Sequence, residues 1–240
     1  MRGHVEFSWF PGMTRQPWRG VTRFFSRAAG RRIERRSRPR DVLARSRHPL
    51  GRRDTSFGVA TCDGPRVSAI LRLGDPRLRA IARPVDLAAP EFPEAVARLH
   101  RALADFRAEH GFGRAIAAPQ LGIDLRLVAM NLGDGPRTLV NPEIVRHSDE
   151  TFTLWDDCMC FPELLVRVRR WTSISIKSLD EEGRLHLRER LPRNESELLQ
   201  HELDHLDGVL AVDRADGPDA IVTRVDHDRE PGRYATMVDR

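Results

Sequence analysis

Cysteine is scarce in this 240-residue chain, and lysine scarcer still. Three cysteines, Cys62, Cys158 and Cys160, are too few for a disulfide framework. That excludes the small cross-linked secreted scaffolds and fits a reducing compartment. Long apolar runs are also missing. None approaches the ~20 residues that cross a bilayer, so no membrane association is expected and the chain reads as soluble and cytoplasmic. No internal repeat is visible, which removes solenoids and propellers. Lys177 is the only lysine, and the arginine excess reads as codon bias rather than a demand for guanidinium chemistry.

What is present suffices for one good-sized domain with a tail: 40% of residues are apolar. The net charge of +5 hides an asymmetry. Residues 1–65 hold 15 Arg against 5 acids, about +10, so the remainder carries about −5. That first stretch has neither helical nor strand periodicity and too little apolar surface to offset ordering, so disorder is expected there. It reads as an organelle-targeting segment, as a basic arm for RNA or the ribosome, or as upstream sequence translated from a mis-set start, the preferred reading. A basic patch is weak evidence by itself, and no specific DNA contact is expected.

A folded domain is expected over residues 66–215, beginning near Val67. Ile70 to Leu73 reads as a short extended piece before a turn at Gly74-Asp75-Pro76. Pro93 to Glu109 is a clear helix: Val96, Leu99, Leu103 and Phe106 fall at helical spacing, with Pro93 in the first turn and Gly111 past the end. Leu125–Met130 and Thr138–Val140 read as short strands. Ile174 and Ile176 alternate with polar residues, Asp180 to Gly183 turns the chain, and Leu185 and Leu187 continue the alternation. Strands followed by a helix give an α+β domain. Residues 216–240 are polar without period and are expected to form a loose tail.

The most informative stretch is Gln200-His201-Glu202-Leu203-Asp204-His205. Residues four apart share a helix face, so His201 and His205 point their imidazoles the same way, a bidentate grip for a divalent transition metal. Glu202 is placed to take a proton from a water at such a metal. Leu198, Leu199, Leu203, Leu206, Val209 and Leu210 flank the polar trio. Polar groups amid so much core-seeking surface are costly unless something satisfies them. Two histidines leave a catalytic metal short of a protein ligand. Asp156, Asp157, Cys158 and Cys160 are the candidates, and spacing alone does not choose between the cysteines; a thiolate would favour Fe(II) or Zn.

Three separated stretches together resemble the peptide deformylase family, metal amidases that remove formyl from the N-terminal methionine of new chains. Gly113-Arg114-Ala115-Ile116-Ala117-Ala118-Pro119-Gln120 is similar to G-x-G-x-A-A-x-Q. Asp156-Asp157-Cys158-Met159-Cys160 is similar to E-G-C-x-S, and His201 to His205 matches H-E-x-D-H in full. Asp75 to Leu78 and Asn141 to Ile144 resemble family stretches in the expected order. The resemblance implies a fold of antiparallel sheets packed around a central metal-binding helix. It makes Cys158, His201 and His205 the ligands of Fe(II), with Zn, Ni or Co able to replace it. Glu202 becomes the general base and then acid; Gln120 and the backbone N–H of Met159 hold the oxyanion. The substrates implied are N-formyl-methionyl nascent peptides met at the ribosome, with the methionine side chain in a pocket partly lined by Leu198, one turn before His201.

The chain departs from the family at Arg114 and Ala115, beside the expected substrate, and at Asp156, Asp157 and Cys160. An extra carboxylate at Asp157 would favour a divalent metal but narrow the cleft or repel a substrate carboxylate. Asp156 has Arg169 or Arg170 as candidate partners. No ligand or catalytic group is missing, so the rivals are a related hydrolase with altered N-acyl specificity and a non-catalytic binder of RNA or the ribosome.

Overall fold

The computed structural model describes residues 70–239. The Arg-rich stretch 1–65 lies outside the described residues, together with the expectations made for it.

In chain order the elements are α1 (Phe92–His110), β1 (Ala115–Ala117), β2 (Leu127–Asn131), β3 (Pro136–His147), β4 (Thr151–Asp157), β5 (Leu164–Trp171), β6 (Ile174–Leu179), β7 (Leu185–Arg188), α2 (Arg193–Leu206), β8 (Ile221–Thr223), α3 (Arg224–Arg229) and α4 (Pro231–Ala235). Two sheets result, one ordered β1-β2-β3-β6-β7 and one ordered β4-β5-β8, with every neighbouring pair antiparallel.

Helix α1 forms where its spacing predicts. Pro93 opens it, and Gly111, in the left-handed region at φ 75°, closes it by donating its N–H to Arg107 O. Its buried stripe (Val96, Leu99, Leu103 and Phe106) packs on the five-stranded sheet. Strand alternation then decides what each face meets. Leu127 and Ala129 of β2 join the α1 cluster, whereas Val128 and Met130 join Leu198, Leu199, Leu203 and Leu206 of α2. The sheet is thus held between two helices. Each fully buried leucine of these clusters stabilises the layer by roughly 1.5–3 kcal/mol.

Helix α2 is covered on every side: Ser196 through Leu206 is buried without a break. The three-stranded sheet closes the remaining flank, where Val166, Val168, Cys158, Cys160, Leu210 and Leu78 form a third cluster. The observed architecture is therefore an α+β fold with antiparallel sheets around a central helix.

Several expectations need correction. The stretch from residue 216 is not a loose tail. Its β8 pairs with the otherwise open edge of β5, Trp155 Nε1 donates to Tyr234 O at 3.0 Å, and Tyr234 is buried. An unpaired strand edge would leave backbone groups without partners, and β8 supplies them. Ordered structure consequently runs well past residue 215. Leu125 makes an isolated bridge to Arg83 instead of beginning a strand, and the strand expected over Thr138–Val140 extends to His147.

Candidate metal centre and active site

Local sequence fixes each wall of the site. The extended piece beginning at Ile70 laces two of them together, with Leu71 N donating to Gln120 O (2.8 Å) and Leu73 N to Cys160 O (3.0 Å). Gly113 approaches the cavity with φ +113°, and a Cβ there would lie 2.7 Å from Met159 Cε, so neither its backbone nor the space beside it suits a larger residue. Ala115, in contrast, sits in ordinary strand pairing opposite Met130. Gln120 follows β1 in a 3₁₀ turn. Its Oε1 accepts from Ala117 N at 2.8 Å, which turns Nε2 toward the sulfurs of Cys158 (3.8 Å) and Cys160 (3.6 Å).

One turn of α2 supplies the imidazoles. His201 and His205 have ring centroids 5.0 Å apart. Nδ1 of His201 faces Asp156 Oδ2 at 3.0 Å, leaving Nε2 free of that bond. The same Asp156 oxygen accepts from Arg170 Nη2 at 3.0 Å, and Arg170 also pairs with Asp204. Arg170 rather than Arg169 fills this role, and the strand period explains it: Arg170 shares its face with buried Val166 and Val168, while Arg169 points out to Asp216. That parity was readable in the sequence.

Cys158 Sγ lies 3.3 Å from His205 Nε2, both buried. For a tetrahedral ion with sulfur and imidazole ligands at their usual bond lengths, two such donors stand about 3.5 Å apart. This pair of donors therefore suits a soft divalent ion. Among the described residues, Cys158, Cys160 and His205 bring their ligand atoms within 4.8 Å of one another, a group that takes in the second thiol and not His201. His205 Nδ1 and Glu202 Oε2 are buried with no hydrogen-bond partner among the described residues.

Electrostatics follow from that burial. Desolvation pushes the Glu202 carboxyl up to about 7. Burial raises the Cys158 thiol and depresses His205. Burial also acts to depress His201, but the Asp156 carboxylate outweighs it and raises that imidazole to about 9. Burial alone would raise Asp156; His201 and Arg170 hold it at about 2 instead.

A cavity of about 270 Å³ opens onto this centre, lined by Gln120, Cys158, Met159, His201 and Glu202 and by Arg114, Ala115, Glu197 and Leu198. Two features were not anticipated. Glu197, four residues before His201 on the same face of α2, accepts from Arg114 Nη2 at 2.6 Å; the helical spacing was the available signal. Asp157 is paired with Arg224 of α3 at 3.0 Å, and that guanidinium also covers the Phe112 ring. The expected free charge at Asp157 is therefore countered by the chain's C-terminal segment.

Buried thiol and imidazole donors in a water-accessible cleft, with an unpaired carboxylate beside them, define a metal-dependent hydrolase. The polypeptide deformylase family matches residues 67–220. The chain belongs to the peptide deformylase family, enzymes that remove the formyl group from N-formyl-methionyl peptides, and it is a hydrolase of that kind. It is similar to the peptide deformylase of Thermotoga neapolitana, 37% identical over 141 residues that cover 59% of this chain and 82% of that protein. The Heliobacterium modesticaldum peptide deformylase is 36% identical over 155 residues, covering 62% of this chain and 95% of that protein. Among solved structures, peptide deformylase from Thermotoga maritima matches with TM-score 0.56 at 34% identity, covering 62% of this chain and 97% of that one. The Legionella pneumophila peptide deformylase matches with TM-score 0.57 at 28% identity, over 70% of this chain and 95% of that one.

Proposed function

We propose that Cys158, His201 and His205 hold one divalent ion, Fe(II) in the native enzyme with Zn, Ni or Co as replacements, and that Glu202 carries the proton in deformylation. The observation that supports this most directly is the 3.3 Å approach of Cys158 Sγ to His205 Nε2 within the cavity that Glu202 lines. Of the two thiols we assign Cys158 as ligand. Its sulfur meets the imidazole, whereas Cys160 occupies the position where the resemblance has serine.

The chemistry such an ion supplies when bound is polarisation of the formyl carbonyl and a lower pKa for water. The protein does the rest. Asp156 holds His201 in the tautomer that leaves Nε2 unprotonated for coordination. Glu202 accepts the proton of the attacking water and returns it to the leaving amine, so formate and a free amino terminus result. Gln120 Nε2 and the backbone N–H of Met159 hold the developing oxyanion, each such donor commonly worth a few kcal/mol. Leu198 and Met159 offer apolar surface to the first side chain of the substrate, in a cavity that Arg114 and Ala115 also line.

An N-terminal extension over 1–65, with about +10 of charge, precedes a deformylase domain that begins near residue 66. Delivery of nascent chains at the ribosome and a cytoplasmic location complete the reading. No helix among the described residues is long and apolar enough to cross a membrane. Anaerobic purification, metal analysis and a formate-release assay on one formyl-Met peptide test the proposal. About one metal per chain and formate release that Glu202→Ala abolishes are expected; a metal-free active protein, or a Glu202→Ala variant of full activity, would overturn it.

A further inference from the structure

Arg114 and Glu197 form an ion pair in the wall of the cavity that hydrolysis of the formyl amide does not require. Arg114 Nη2 donates to Glu197 Oε1 at 2.6 Å, and Nη1 donates to Asn194 O at 2.9 Å. The Glu197 side chain is only 10% exposed; that of Arg114 is 43% exposed. Both line the same cavity as Glu202, Leu198 and Met159. Glu197 stands one helical turn before His201, so the pair flanks the space beside the reacting bond rather than some distant surface.

A charged pair in such a wall is a poor neighbour for a purely apolar side chain. Laying a thioether against it strips water from both charges and returns no comparable hydrogen bond, because thioether sulfur is a weak acceptor. A guanidinium carries five N–H donors, and the two acceptors Arg114 meets among the described residues leave donors to spare. Glu197 fixes the guanidinium in place, so an acceptor arriving in the cavity meets a preorganised donor. The side chain that keeps the length and shape of methionine while adding one strong acceptor oxygen is methionine sulfoxide, the product of methionine oxidation.

We propose that the Arg114–Glu197 pair is a specificity element that lets this enzyme deformylate N-formyl-methionine-sulfoxide peptides, the guanidinium of Arg114 donating to the sulfoxide oxygen. This rests on the deformylase reading above and deepens it. The pair acts on the substrate side chain and leaves the bond-breaking groups alone. Its removal is therefore felt in the choice between substrates. A pair that serves only to tie α2 to the residue before β1 would lower stability and leave that choice unmoved.

The test compares kcat/KM for formyl-Met-Ala-Ser, its methionine-sulfoxide counterpart and its norleucine counterpart, in the native protein and in Arg114→Leu/Glu197→Leu. The sulfoxide-to-methionine ratio is expected to fall about tenfold or more in the double variant, mostly through KM, while norleucine follows methionine. Arg114→Lys, which keeps a donor beside Glu197, is expected to retain part of the ratio. Calorimetric affinities of the same peptides for Glu202→Gln, with and without the double substitution, read the preference without turnover. A ratio that stays unchanged or rises on removing the pair, in rate or in affinity, overturns the proposal. No formate from any peptide in the native protein fails the deformylase reading instead, and the affinity ratio still decides this one.

Discussion

Asp156 Oδ2 lies 3.0 Å from His201 Nδ1, and it accepts at the same distance from Arg170 Nη2. One buried oxygen thus orients an imidazole from α2 while being anchored by a guanidinium from β5. Asp156→Asn keeps the shape and removes the charge, and the amide competes for the wrong tautomer of His201. Metal affinity is expected to fall about 10–100-fold, measured by competition with a chelator. Unchanged affinity would sink the positioning role given to Asp156.

The two thiols should separate cleanly. Cys158→Ser is expected to lose metal and activity together. Cys160→Ser restores a small hydroxyl where Cys160 now accepts from Gln120 Nε2, and it is expected to keep about one metal per chain. Metal analysis of both variants, with the Co(II) absorption spectrum as a count of bound thiolates, reads the difference. Loss of metal in Cys160→Ser alone would reverse the assignment, and the 4.8 Å grouping of Cys158, Cys160 and His205 makes that a fair contest.

Metal binding should release protons. Without a cation, His201 is held up to about 9 by Asp156 and the Cys158 thiol is raised by burial, so both are protonated at pH 7. Each must lose its proton to coordinate, and His205, depressed by burial, is already neutral. Affinity is therefore expected to rise with pH, with about two protons released per ion in calorimetry across buffers of different ionisation enthalpy. The sign for the metal-free protein is the opposite. A raised folded-state His201 adds stability that is complete below its ordinary value of 6.5 and lost as pH climbs through about 9. Melting temperatures of chelated protein that do not decline across that window would contradict the Asp156–His201 pairing.

The C-terminal segment is expected to be structural. Deleting residues 217–240 strips the β8 edge from β5, the Tyr234 carbonyl from Trp155 and Arg224 from Asp157. Several hydrogen bonds at about 1 kcal/mol each make a loss of a few kcal/mol, read as a lower midpoint in urea. Arg224→Ala alone should cost less than about 1 kcal/mol, since the pair is partly exposed, yet it returns a bare carboxylate to the residue next to Cys158. Full stability of the truncated chain would restore the loose tail.

How much of this the sequence made legible depends on how periodic each segment is. Both long helices and the β6–β7 hairpin carry a strong period, 3.6 or 2, and were readable. Strand β4 was not, because Phe152 and Thr153 are both buried; in β5 Val166 and Val168 alternate with Arg167 and Arg169, and Arg170 alone places a charge on the buried face. The C-terminal elements were missed for another reason: they are three to six residues long and polar, too short to display a period. At the centre, His201, Glu202 and His205 follow from helical spacing. Cys158 over Cys160 needed the resemblance, and Glu197 needed only a step of four residues back along the same face.

Because β8 and α3 follow α2 along the chain, yet finish the edge of β5 and face Asp157, synthesis order matters. A copy emerging from the ribosome has its imidazoles and thiol in hand before the lip of its cleft is sealed. An enzyme that trims newborn chains is, in this design, unable to assume its finished outline until residues 221–229 have followed α2 out.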